Sequence, residues 1–366
     1  MDGWLQSLGE QEDIADIRQH PTRDDWWESN NSAQDFAEVN TTAVHIGGWY
    51  DIFAQHTIDA FLGYQNQSQQ AGNQILIMGP WTHAVNAAEI GELFIENAPF
   101  ERYEELLFLW LNACLIDDNP ALLRDEMPPV TYFTIGAVGE EDAPGNTWHT
   151  AETWPPAGGV DTALYLGANN SLSDTTSNTE GGDTFTYDPN NPTATICGAN
   201  LILPAGSCDQ REIESRGDVL IYETDILDAP LEVTGDIRAQ IWIETDVPDT
   251  DIVVRITDVY PDGRSMLVVD GIMRARYHAS LDFSTETLLV PGEPILLEFE
   301  IAPTSYIFND GHRLRVSITS SNAPRFAPNP NTGAMFFNPG DETRIASTRL
   351  LWGDTHPSAI VLPVHD

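Results

Sequence analysis

Two polar side chains stand where apolar segments stop. Asp51 follows the run TTAVHIGGWY, and His83 follows QILIMGPWT. An acid beside a histidine can carry out acid–base chemistry. The carboxylate holds one imidazole nitrogen protonated and stabilises the imidazolium, while the other nitrogen takes a proton from a nucleophile. Each residue also has a plainer reading. An Asp after a strand commonly caps the next helix, and a histidine after a Pro-Trp turn is commonly structural.

The chemical reading needs the two residues on one edge of a sheet. Thr41–Ile46 reads as a strand. Phe53, Thr57, Phe61 and Tyr64, with Ala60, recur at helical spacing, and Gln74–Gly79 is a short apolar strand of the kind buried in parallel sheets. Strand, helix and strand make a βαβ unit. Its right-handed crossover makes the strands parallel, so both C-terminal ends lie on one edge. If the strands are neighbours, the loops carrying Asp51 and His83 start about 5 Å apart. Ligands bind at that edge of open α/β sheets. Phe100–Leu115 is again helical, with Leu106, Leu107, Trp110 and Leu111 on its apolar side. Residues 1–40 look helical and loop-like and contain the pair Trp26-Trp27.

After Met127-Pro128-Pro129 the texture changes. VTYFTIG, ALYLG, DVLIYET, IRAQIWIET, DIVVRITDVY, SMLVVDGIMRARY, ILLEFEIA and HRLRVSITSS are rich in Val, Ile, Thr and Tyr. Their spacing predicts an all-β sandwich. Tyr260-Pro261-Asp262-Gly263-Arg264 reads as a hairpin turn. Residues 168–192 read as a long surface loop with a strand around Phe185.

A chain of 366 residues is long enough for about two domains. Its net charge of −41 disfavours nucleic acid and anionic membranes as partners, and all 16 basic residues are arginine. Acids spread along the whole chain suit solubility in a salty medium, which both export and a salt-rich cytoplasm provide. No run of about 18 apolar residues occurs, so no membrane span is expected. Of three cysteines, Cys197 and Cys208 flank a short loop; a disulfide and two buried thiols fit equally.

GGWYD followed by GPWTH resembles the acid and histidine motifs of the cocaine esterase-like serine hydrolases. This group includes α-amino acid ester hydrolases and is related to X-prolyl dipeptidyl aminopeptidases. CDQREIESRGDVLIYETDILDAPLEVTG, PDTDIVVRITDVYPDGRSMLVVDGIMRARY and GHRLRVSITSSNAPRFAPNPNTG resemble the family's jelly-roll domain in wording and order. The resemblance implies a cap remnant over 1–40, the C-terminal part of an α/β-hydrolase domain over 41–126, and a jelly-roll β-sandwich over 127–366. It makes Asp51 the triad acid and His83 the general base. Trp49, Tyr50 and Trp81 would shape the substrate pocket.

The family's serine lies on a tight strand-to-helix turn ahead of the cap, and so before the start of this chain. Among the serines present, Ser265 follows Gly263-Arg264 but sits on the hairpin, and Ser207 has the wrong spacing. The expectation is therefore the C-terminal portion of a serine hydrolase that cleaves an ester or amide through an acyl-enzyme, inactive as this chain alone. Its partners would be a small ester or amide substrate, the N-terminal half of the hydrolase or further copies of the chain. Ile52-Phe53-Ala54 follow Asp51 where the amino acid ester hydrolases carry two acids, and Asp59 lies too far along the helix, so a neutral or aromatic acyl group is favoured. An X-prolyl exopeptidase and a carbohydrate-binding jelly roll are the alternatives. For the latter, Trp148, Trp154, Trp242 and Trp352 are scattered, as core residues would be. No cofactor is expected. Asp246, Asp249 and Asp251 crowd their oxygens but lack regular calcium-loop spacing, and neither H-x-x-x-H nor paired C-x-x-C occurs.

Overall fold

The computed structural model describes residues 16–29, 31–117, 119–338 and 340–365. Ahead of the first sheet lie a short helix, α1 (Asp25–Glu28), capped by the Asp24 side chain, and a 3₁₀ segment, Ser32–Glu38.

The first sheet has four strands in the order β1-β2-β5-β6: Val44–Gly48, Ile75–Gly79, Val130–Thr134 and Thr147–Ala151. β1, β2 and β5 are parallel, and β6 is antiparallel to β5. Every residue of β2 is buried, as its unbroken apolar run requires of a strand covered on both faces. The crossover between β1 and β2 is α2 (Ala54–Gln67), which turns Ala54, Ile58 and Phe61 inward. The Gln74 amide ties the entry to both strands, accepting from Ala43 N and donating to Thr41 O.

Two elements differ from the sequence expectation. VTYFTIG, assigned above to the sandwich, supplies β5 of the first sheet, parallel to β2, and TWHTA follows it as β6. The sheet therefore continues past residue 127. Second, α3 (Tyr103–Leu111) ends in a π-turn, Asn112–Ile116, and only part of its apolar side is covered. Leu106 is buried and Trp110 Nε1 donates to Thr42 O, whereas Leu107 and Phe108 are mostly exposed. They line a groove of about 790 Å³ along the free edge of β1.

Beyond a short hairpin, β3–β4 (Glu89–Ile90 and Leu93–Phe94), and helix α4 (Ala121–Glu126), the remaining elements are strands and three short helical turns at Ala168–Asn170, Arg211–Glu214 and Ala275–Tyr277. Among the described residues eleven strands form one hydrogen-bonded network, beginning with β7 (Val160–Gly167), β8 (Ser171–Ser173), β9 (Gly181–Tyr187) and β10 (Leu220–Glu223). Its longest members, β11 (Leu231–Thr245) and β14 (Ile295–Phe308), pair along their length. β12 (Asp251–Val259) and β13 (Ser265–Arg274) form the hairpin expected at Tyr260–Arg264, and β15 (Arg313–Thr319) pairs with β12 on its other side. Phe185 lies in a strand, Gly181–Tyr187. The architecture is thus mixed α/β with a large sheet-rich C-terminal part.

Cys197 and Cys208 are joined in a disulfide. Asp249, one of the three crowded acids, is fully buried and accepts from Arg274, Arg276 and Asn329. Two guanidinium groups neutralise it, which removes the argument for a cation there. Among the described residues no cluster of His, Cys, Asp and Glu is arranged to hold a metal. No helix among them is long and apolar enough to cross a membrane.

Candidate active site

β1 ends at Gly48 and β2 at Gly79, aligned in register, so the following loops leave the same sheet edge side by side. Two backbone bonds then lock the loops together: Trp49 N donates to Gly79 O at 3.0 Å, and Tyr50 N to Trp81 O at 2.9 Å. This contact requires glycine at position 48, where a Cβ would lie 2.2 Å from Trp81 O.

Asp51 and His83 meet above that contact. His83 Nδ1 lies 3.0 Å from Asp51 Oδ2. Asp51 is 6% exposed, whereas the His83 side chain is 56% exposed. The other carboxylate oxygen, Oδ1, accepts from Phe53 N at 3.2 Å, at the start of α2. Asp51 therefore closes the turn that leads into the helix with one oxygen and holds the imidazole with the other; Phe53 is the N-cap residue, and no side chain caps the helix. An Nδ1–H fixed by a carboxylate leaves Nε2 as the free base, and no described residue bonds to it. The Phe53 ring lies 5.6 Å from the imidazole, centroid to centroid, a neighbour that no sequence motif signalled.

Trp49, Tyr50 and Trp81, expected as pocket walls, are all buried. Each polar tip is occupied: Trp49 Nε1 by Phe133 O, Tyr50 OH by Leu267 O and Trp81 Nε1 by Ala98 O. In this structure they form the packing beneath Asp51 and His83. Burial pushes the Tyr50 hydroxyl pKa well above its ordinary value, so it stays a neutral donor. The scattered tryptophans pack likewise. Trp148 contacts Trp81, Phe100 and Phe133, and Trp154 contacts Trp49 and Tyr132. They do not form an exposed aromatic row.

Residues 124–361 match the profile of the X-Pro dipeptidyl-peptidase C-terminal non-catalytic domain, and residues 3–85 that of X-Pro dipeptidyl-peptidase (S15 family). The chain belongs to the CocE/NonD hydrolase family. This CocE/NonD chain is 31% identical to cocaine esterase of Rhodococcus sp., over 96% of its own length and 61% of that protein's. It superposes with a TM-score of 0.85 on an aminopeptidase from the marine sediment archaeon Thaumarchaeota archaeon, at 25% identity, covering 99% of this chain and 61% of the other. An α-amino acid ester hydrolase labelled with selenomethionine gives a TM-score of 0.84 at 25% identity, covering 98% and 61%. The CocE/NonD chain thus spans about three fifths of the length of these relatives.

Proposed function

We propose that this chain supplies the acid and base of a serine hydrolase that cleaves an ester or amide through an acyl-enzyme. The observation that carries the reading is the Asp51–His83 pair, 3.0 Å apart at the C-terminal edge of parallel strands. A serine hydroxyl attacks the acyl carbonyl and passes its proton to His83 Nε2. Asp51 Oδ2, accepting from Nδ1–H, stabilises the imidazolium. His83 returns the proton to the leaving group, and the same base then activates water against the acyl-enzyme.

The serine comes from residues outside this chain, and the chain by itself does not turn over substrate. Two facts support this: His83 Nε2 meets no serine among the described residues, and relatives are longer than the matched part. The remaining strands of the hydrolase sheet join at the free edge of β1, covering Leu107 and Phe108, and the sheet-rich part adopts the family's jelly roll. The acyl group is neutral, because the surface next to Asp51 is Ile52 and Phe53, both partly exposed, with no carboxylate pair to hold an ammonium group. An X-prolyl exopeptidase is the second reading, favoured by the S15 profile over residues 3–85.

A fluorophosphonate probe tests the proposal. The purified chain takes no label. With the serine-bearing part restored, one serine labels and 4-nitrophenyl esters are hydrolysed faster than an X-prolyl anilide, both lost in Asp51→Asn. Stoichiometric labelling of a serine in this chain alone refutes the assignment.

A further inference from the structure

The pair needs both of its loops held still, and the large sheet holds them at one atom. Leu267 O, in β13, accepts from Tyr50 OH at 2.8 Å and from Ser207 Oγ at 2.8 Å. Tyr50 precedes Asp51 directly. Ser207 lies in the loop closed by Cys197–Cys208, and this loop grips the hairpin that follows His83. Ser207 N donates to Ile90 O at 3.2 Å, and Glu92 N donates to Ser207 O at 2.8 Å. Asp209 N donates to Glu92 Oε2 at 3.0 Å. The fit allows no side chain at the contact: a Cβ on Gly206 would lie 2.3 Å from Gly91 N, and one on Gly91 would lie 2.4 Å from Ser207 O.

The loop is braced from within. Gly198 and Gly206 exchange backbone bonds at 2.9 and 3.0 Å, and the Asn200 amide bonds to Cys197 O and Pro204 O. Its last residues join β13, Leu267 N donating to Cys208 O at 3.1 Å and Gln210 N to Ser265 O at 2.8 Å. From the hairpin the path returns to the site. Ile95 N bonds to Ala88 O, Ala98 N to Ile95 O, and Trp81 Nε1 to Ala98 O. Trp81 sits two residues before His83.

We propose that the disulfide-closed loop Cys197–Cys208 is a positioning element for the acid–base pair, fixing the His83 side through Ser207 and the hairpin and sharing the Leu267 carbonyl with Tyr50 on the Asp51 side. This rests on the reading of Asp51 and His83 as a working pair. Positioning matters because a misplacement of about 1 Å can cost about 100-fold in rate. Opening the disulfide releases one side of the pair, which makes the site sensitive to reducing conditions.

Amide hydrogen exchange and the proton resonance of His83 Nδ1–H test the proposal on the chain as it stands. Three perturbations are compared: reduction by a phosphine, Ser207→Ala, which leaves the disulfide intact, and Tyr50→Phe. Reduction and Ser207→Ala speed exchange in residues 84–95 by about tenfold or more, while β12 and β15 are unchanged. All three weaken the His83 Nδ1–H resonance. Acceleration confined to the Cys197–Cys208 loop, with the hairpin and the resonance unchanged, overturns the proposal. A wild-type resonance that is indifferent to Asp51→Asn refutes the pair itself.

Discussion

Replacing His312 by alanine tests what joins the two sheets. His312, directly before β15, is fully buried. Its Nδ1 lies 2.7 Å from Asp258 Oδ1 in β12, and its Nε2 lies 3.0 Å from both oxygens of Glu140, in the loop between β5 and β6. The Tyr260 ring covers the imidazole at 4.4 Å, Tyr306 OH donates to Asp258, and Asn309 donates to Glu140. Removing the imidazole leaves a fully buried carboxylate without its counter-charge, so His312→Ala is expected to cost about 3–5 kcal/mol. Glu140 is a quarter exposed, and Glu140→Gln keeps an acceptor, so that change costs about 1 kcal/mol.

The same site fixes a pH dependence. Burial opposes charge on His312, but the Asp258 bond and charge, then those of Glu140, prevail and raise its pKa above 6.5. Burial also pushes Asp258 upward, against the bonds from His312 and Tyr306; two carboxylates facing one imidazole nevertheless favour the imidazolium. A raised histidine stabilises the fold fully below about pH 6.5 and loses that contribution as pH climbs through the folded-state value. Burial pushes Tyr260 up to about 12 and raises Tyr306 well above its ordinary value, so neither interferes in this range. Urea midpoints of wild type and His312→Gln, from about pH 6 to about pH 10, should converge as pH rises. A constant or widening gap, or an alanine variant that loses less than about 1 kcal/mol, refutes the reasoning.

Asp251 is buried and its pKa is pushed up to about 7 by desolvation, eased by the Asn329 bond. Stability is therefore lost as pH rises from about 4 to about 7, at about 1.4 kcal/mol per pH unit; Asp251→Asn keeps the acceptor and should recover up to about 4 kcal/mol above about pH 7, and melts that rise equally at all pH exclude this. Arg255 is buried, its two terminal nitrogens find no partner among the described residues, and burial lowers its pKa to about 10. Arg255→Met should be neutral or stabilising by up to about 2 kcal/mol, and a loss above about 1 kcal/mol in thermal unfolding contradicts that. Asp51→Ala removes the turn bond to Phe53 N and should cost about 1 kcal/mol, whereas Asp51→Asn, retaining Oδ1, stays close to wild type in the same unfolding assay.

The crossover from β1 to β2 was legible because its signals are local: an apolar run, a helical period and a second apolar run. β5 was not. VTYFTIG has the β-rich composition of the strands after it, and composition does not say which sheet a strand joins. The Pro128-Pro129 step read as a boundary, yet Pro129 O accepts from Leu76 N at 2.8 Å and carries the chain into the first sheet. Leu107 misled for a related reason. Its period is helical, but what covers a helix face depends on a neighbour, and among the described residues no strand joins the outer edge of β1 beside it.

At Asp51 the sequence is open to two readings, a helix cap and a triad acid. A carboxylate has two oxygens: here Oδ1 accepts from Phe53 N, the N-cap residue's own amide, so the contact is a turn before the helix and not a cap, and Oδ2 lies 3.0 Å from His83 Nδ1. Spacing could suggest either role because both begin from the same position, the first turn after a strand at the sheet edge. The turn also orients the pair: with Oδ1 committed to Phe53 N, the plane of the carboxylate is set and Oδ2 is directed at His83. A local structural contact made by one oxygen thus does not exclude a second role for the other. Tyr50 and Leu267, which lie 217 positions apart, carried no such signal. Their contact exists only because the large sheet packs under the first, which is information that no local pattern holds.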